Sequence, residues 1–163
     1  MKTNLMCMSI AVVSMIGAGS AFAGGSEGTV GVGAEFGLSG TGGLSVNYDA
    51  GKWHAGGFLA FHDEEGPDNT AFGLGGRFFW HVHSTPTSDF SVGGSLALDH
   101  EEMGPDTSAN LLYLEPGVQI RAFISGNVAL SATAGFSIGL ADASGVDLTG
   151  QVTGFAGIHY YFF

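Results

Sequence analysis

Phe72-Gly73-Leu74-Gly75-Gly76-Arg77-Phe78-Phe79-Trp80-His81-Val82-His83 decides the fold. Phe72, Leu74, Gly76, Phe78, Trp80 and Val82 fall on one side of a period of two, with Gly73, Gly75, Arg77, Phe79, His81 and His83 on the other. A period of two is that of an extended strand, and a helix would need apolar residues three and four apart. Arg77 in the middle of the run is not a solvated residue at a strand end. Its face must supply a partner.

The same alternation recurs on both sides, and eight strands are expected. Before this run come Val30 to Leu38, Leu44 to Asp49 and Trp53 to His62. After it come Phe90 to Asp99, Leu112 to Ala122, Val128 to Leu140 and Gln151 to Phe162. Strand 2 alternates Leu44, Val46 and Tyr48 with Ser45, Asn47 and Asp49. Strand 8 alternates Val152, Ala156, Ile158, Tyr160 and Phe162 with Gln151, Thr153, Gly157, His159 and Tyr161. The connectors also alternate. Residues 49–52, 83–89 and 125–127 are short, and those after strands 3, 5 and 7 are longer and acidic. Short turns at one end and long loops at the other suit an up-and-down barrel with both termini at the turn end. The expected class is all-β, an eight-stranded antiparallel transmembrane barrel whose lumen is filled by side chains.

The minor face argues against a soluble sheet. It is Gly, Ser and Thr with isolated charges and almost no Lys, whereas soluble sheets guard exposed faces and edges with Lys and Glu. Glu35, Arg77, Glu115 and Arg121 all lie mid-strand on that face. Facing a narrow lumen, they are expected to form mutual ion pairs. The majority face is apolar throughout, as for strands that turn outward to lipid.

Composition agrees. All fifteen acidic residues lie after residue 23, and only Lys52, Arg77 and Arg121 oppose them there. That part is one unit more negative than the whole chain's −11, a charge that repels nucleic acid phosphates. Residues 1–23 read as a cleaved signal peptide: Lys2, an apolar stretch from Leu5 to Gly19, then Ala21-Phe22-Ala23. The apolar stretch is too short to span a bilayer as a helix. Residues 24–163 form one barrel domain. Cys7 is the one cysteine and lies within the signal, so the mature domain has no disulfide.

The chain closes on His159-Tyr160-Tyr161-Phe162-Phe163. A terminal Phe behind an alternating aromatic run resembles the C-terminal signature of Gram-negative outer-membrane barrels, here those of the OmpA/OmpX type. The resemblance implies outer-membrane localisation as a monomer, contact with lipid and lipopolysaccharide, and recognition of Tyr161 and Phe163 by the barrel assembly machinery.

An acidic hairpin is duplicated. Leu59 to Ala71 and Leu96 to Ala109 share Leu-Ala at their starts and the turn Gly-Pro-Asp, at Gly66-Pro67-Asp68 and Gly104-Pro105-Asp106. Asp63, Glu65, Glu101 and Asp106 share the outer rim with His62 and His100. Such carboxylates are either plain solvated charge or a weak Ca²⁺ or Mg²⁺ site. No other cofactor is expected.

No catalytic constellation is legible. A nucleophilic Ser needs an adjacent His, and the nearest sequence pairing, His83-Ser84, falls in a turn. His81, His83 and His159 are expected to point inward from strands far apart around the barrel. The expected role is structural or interaction-based at the cell surface, in envelope integrity, adhesion or binding through acidic loops. The alternatives are a lipid A-modifying barrel enzyme and a secreted soluble β-protein.

Overall fold

In a computed structural model, residues 26–37, 42–63, 70–102, 108–141 and 150–162 are described. They form β1 (Thr29–Gly37), β2 (Gly42–Asp49), β3 (Trp53–Asp63), β4 (Thr70–Thr85), β5 (Ser88–Glu102), β6 (Ser108–Ser125), β7 (Val128–Ala141) and β8 (Gly150–Phe162). Each strand pairs antiparallel with the next, and β8 returns to β1 through Val30↔Phe162 and Gly33↔His159, so the sheet closes into a barrel. Closure leaves no unpaired edge. The signal-peptide reading and Phe163 lie outside the described residues.

The faces run as the alternation requires. On β2, Leu44, Val46 and Tyr48 are 68%, 49% and 45% exposed, while Ser45, Asn47 and Asp49 are 3%, 3% and 0% exposed. The apolar set is therefore outside and the polar set inside, the inverse of a soluble barrel. Large outward aromatics collect at two levels. Tyr48, Phe78, Trp80, Phe90, Tyr160 and Phe162 lie toward the turn end, and Phe36, Phe61, Phe72 and Phe136 toward the loop end. Trp53 packs between Tyr48 and Phe78, with ring centroids 6.1 and 5.6 Å away. Between the two levels the outward residues are aliphatic or small.

Inward glycines face the bulkiest inward side chains. A Cβ on Gly31 would lie 2.7 Å from the Tyr161 ring, and one on Gly33 would lie 2.6 Å from the ring of His159. Gly75 likewise leaves room for Phe58. Glycine weakens a strand interior, but here its missing side chain lets a large residue on another strand fill a narrow lumen.

The expected strand phases hold for β1 to β3 and β5 to β8, and the correction falls on β4. The register slips between His81 and His83, a bulge that lets Val82 be passed over. His83 then pairs with Phe90 on the outer face and is exposed, not lumenal as the uninterrupted alternation implied. The strands also run further than expected at this end: Pro86 and Thr87 alone make the β4–β5 turn, and Asp89 belongs to β5.

A polar plug as the candidate functional site

The lumen is filled by two charged clusters. The first lies at the turn end. Arg121 on β6 is 1% exposed. One Nη lies 2.7 Å from Asp49 on β2 and the other 2.7 Å from Asp89 on β5. Arg121 also donates to the Tyr161 hydroxyl at 3.0 Å. Its guanidinium stands over the ring of Phe123, with the carbon 5.4 Å from the centroid. Five donors in a planar fork suit a residue that must satisfy several partners at once. Two histidines abut this arginine: His81 on β4, 3.1 Å from an Arg121 Nη, and His54 on β3, 2.8 Å from His81. The His54 ring stacks on Phe79, with centroids 5.4 Å apart.

The second cluster lies further into the barrel. Arg77 on β4 donates both Nη groups to Glu35 on β1, at 2.8 and 2.7 Å, a bidentate pair. His159 Nε2 on β8 lies 3.1 Å from the same carboxylate and 2.6 Å from the Ser45 hydroxyl on β2. Arg77 stands 4.9 Å from the centre of the Phe58 ring. Between the clusters and the loop end, a cavity of about 30 Å³ is lined by Arg77, Phe79, Glu115, Thr133 and Phe155 among others. That is room for roughly two waters and is not a channel.

Of the four mid-strand charges the structure pairs Glu35 with Arg77, while Glu115 lines the same small cavity as Arg77 without an ion pair among those of the described residues. Arg121 does not meet Glu115. Its carboxylates are Asp49 and Asp89, which the sequence had placed at or beside turns. Glu115 instead accepts a hydrogen bond from the Ser95 hydroxyl at 2.6 Å. The barrel is narrow enough for Arg121 to reach β2, β5 and β8 from β6, so separation around the circumference does not separate side chains in the lumen. For the same reason His81 and Tyr161, on β4 and β8, share Arg121 as a partner. Tyr161 is 1% exposed and faces the lumen, away from the outer surface. Asp49 and His54 are legible as inward from the polar phase of their strands, though not as neighbours of the Arg121 cluster, whereas Asp89 falls in the expected 83–89 connector and its inward position is seen only in the structure.

Ser45 and His159 form the serine–histidine contact that the sequence could not pair. It is not built as a nucleophile and base. Glu35 engages the nitrogen that faces Ser45, so that nitrogen bears the proton and cannot take one from the hydroxyl. Nδ1, where an orienting carboxylate would sit, is buried without a partner. Both side chains are sealed inside the lumen.

The rim residues Glu65 and Asp106 lie outside the described residues. For Asp63 and Glu101 only the strand positions are described, opposite Thr70 and Ala71 respectively on β4. Among the described residues no group of three or more His, Cys, Asp or Glu is arranged to hold a metal ion.

No family model matches the chain, and no curated protein sequence matches it. Solved structures do. The chain is similar to the N-terminal β-barrel domain of Pseudomonas aeruginosa OprF, with a TM-score of 0.67 and 14% identity over 83% of this chain and 98% of that one. It is also similar to Neisserial surface protein A, with a TM-score of 0.57 and 13% identity over 82% of this chain and 96% of that one. At such identity the likeness is one of fold: a closed eight-stranded antiparallel barrel, the architecture of small bacterial outer-membrane proteins.

Proposed function

We propose that this chain is an outer-membrane barrel that spans the bilayer with its eight strands and serves at the cell surface as a structural or interaction protein, without an open pore and without catalysis. The observation that carries the reading is the inverted barrel, with an apolar outside banded by two aromatic levels around a lumen packed with ion pairs. Phe72 and Trp80, one at each level, lie eight residues apart on β4. At about 3.3 Å per residue that is roughly 26 Å of strand. Tilted by about 40°, it spans roughly 20 Å along the barrel axis, close to the apolar band of about 25 Å in outer-membrane barrels. Aromatic rings favour the two interfaces because one end is apolar and the other wet. In water the same surface would be an aggregation liability far larger than a monomer tolerates.

The non-catalytic part of the reading rests on the sealed Ser45–His159 contact, whose geometry does not suit a nucleophile and its base. The outer loops would then be the part that meets the surroundings.

The test is fractionation of expressing cells with a heat-modifiability gel. The protein should sediment with outer membranes and migrate faster unheated than boiled, because a closed barrel binds less detergent than the unfolded chain. Recovery as a monodisperse protein in a detergent-free periplasmic extract would overturn the reading.

A further inference from the structure

Register sets Arg77 and Glu115 on either side of one small residue. Arg77 pairs with Ser95 across β4 and β5, and Ser95 pairs with Glu115 across β5 and β6. Two strand spacings put the Arg77 and Glu115 backbones roughly 9.6 Å apart, and the serine between them is too short to fill the space above it. Beside Glu115, Gly117 and Gly135 pair across β6 and β7 and carry no side chain into the lumen. The space left is the cavity of about 30 Å³, lined by both charges, by Ser95, Thr133 and Thr153, and by aromatic rings.

Two polar groups at this cavity lack a full set of partners. The Arg77 side chain is 6% exposed and commits both Nη groups to Glu35. Its Nε, on the part of the guanidinium that Glu35 does not reach, is buried with no hydrogen-bond partner among the described residues. The Glu115 carboxylate accepts from Ser95 at 2.6 Å and has no ion pair among those of the described residues. A carboxylate offers about four lone pairs, so a single hydrogen bond leaves its charge poorly compensated in a narrow lumen. Arg77 cannot turn to meet it without giving up the bidentate pair with Glu35 and its place over the Phe58 ring.

We propose that this cavity is a structural water site and that water joins Arg77 Nε–H to the Glu115 carboxylate. A buried water needs roughly two to four polar partners and about 10–15 Å³ of such space. Arg77 supplies a donor and Glu115 an acceptor. The Thr133 hydroxyl, 2.9 Å from the Gln119 amide, keeps further hydrogen-bonding capacity. One or two waters satisfy both requirements. A metal cation would face the guanidinium and leave Nε–H without an acceptor, and the volume is too small for an organic ligand. A bridging water is nearly as favourable in enthalpy as a direct hydrogen bond. Through it Arg77 serves two carboxylates, Glu35 from β1 and Glu115 from β6, as Arg121 serves Asp49 and Asp89 directly. The inference concerns the lumen alone and does not depend on what surrounds the barrel.

The experiment has two readouts on the full chain isolated from membranes. The first is a double-mutant cycle by urea unfolding in phospholipid vesicles, with Arg77→Met, Glu115→Leu and the two combined. If water couples the charges, Arg77→Met strands Glu115 as well as Glu35. Its effect on the folding equilibrium constant should therefore be smaller in the Glu115→Leu background, by about fivefold. Additive effects overturn the proposal. The second readout is nitrogen-resolved NMR of the wild type in detergent micelles. The Arg77 Nε–H proton should show a nuclear Overhauser contact to water with the sign of a long-lived bound molecule. A contact with the sign of bulk water, or none, overturns the bridge whatever the cycle gives, because two charges also interact through space. Should a variant not fold, the wild-type spectrum decides alone.

Discussion

Arg121 holds two buried carboxylates for which no other ion pair exists among the described residues, so of the two lumenal arginines its loss is the more damaging. Removing one member of a buried pair leaves an uncompensated charge, at a cost of about 3–5 kcal/mol. Arg121→Met should reach at least that figure in equilibrium unfolding, because both Asp49 and Asp89 are stranded. Arg77→Met should fall at the lower end, since Glu35 keeps His159 as a partner. A cost near zero for either would mean that the side chain is hydrated, and the assignment of polar residues to a packed lumen would fail. Arg121→Lys is not a conservative rescue, because a single ammonium cannot replace the two Nη groups that reach Asp49 and Asp89 from opposite sides.

Among the elements, β8 closes the barrel and shows how far alternation can be trusted. Its expected phase holds over the described residues: Tyr160 and Phe162 face outward, and His159 and Tyr161 fill the lumen beside Glu35 and Arg121. Phe162 is also the terminal rung of the seam, opposite Val30 on β1. Deleting Phe162 and Phe163 removes that rung together with the terminal aromatic. The truncated chain should accumulate unfolded in the periplasm and be degraded by added protease. A stable, soluble product with unchanged circular dichroism would show that the seam and its aromatic end are dispensable. On β4 the period fails after His81, because a bulge adds one residue to one strand and turns over every side chain beyond it. Nothing in Trp80-His81-Val82-His83 marks where the extra residue will sit. The slip is set by the pairing of β4 with β5 and by the tight Pro86-Thr87 turn.

For the whole molecule, eight strands set a diameter that side chains can fill, and two charged clusters with their aromatic neighbours fill it. Purified protein in liposomes should therefore give no swelling in isosmotic sugar solution, with a genuine porin as the positive control. Swelling at the porin's rate would mean that the plug is absent in lipid.

The sequence by itself determined the strands, their two faces and the inversion of polarity between them, because a period of two is a local property that survives any arrangement of neighbours. It also marked Glu35, Arg77, Glu115 and Arg121 as charges needing an interior partner. Only the tertiary structure decided the partners. Arg121 meets Asp49 and Asp89, and Ser45 meets His159, across separations of 32 to 114 residues that no local pattern encodes. Those meetings depend on barrel closure and strand stagger. Each is a consequence of which strands pair and in what register, and in a lumen this narrow a shift of one residue would give every charge a different neighbour.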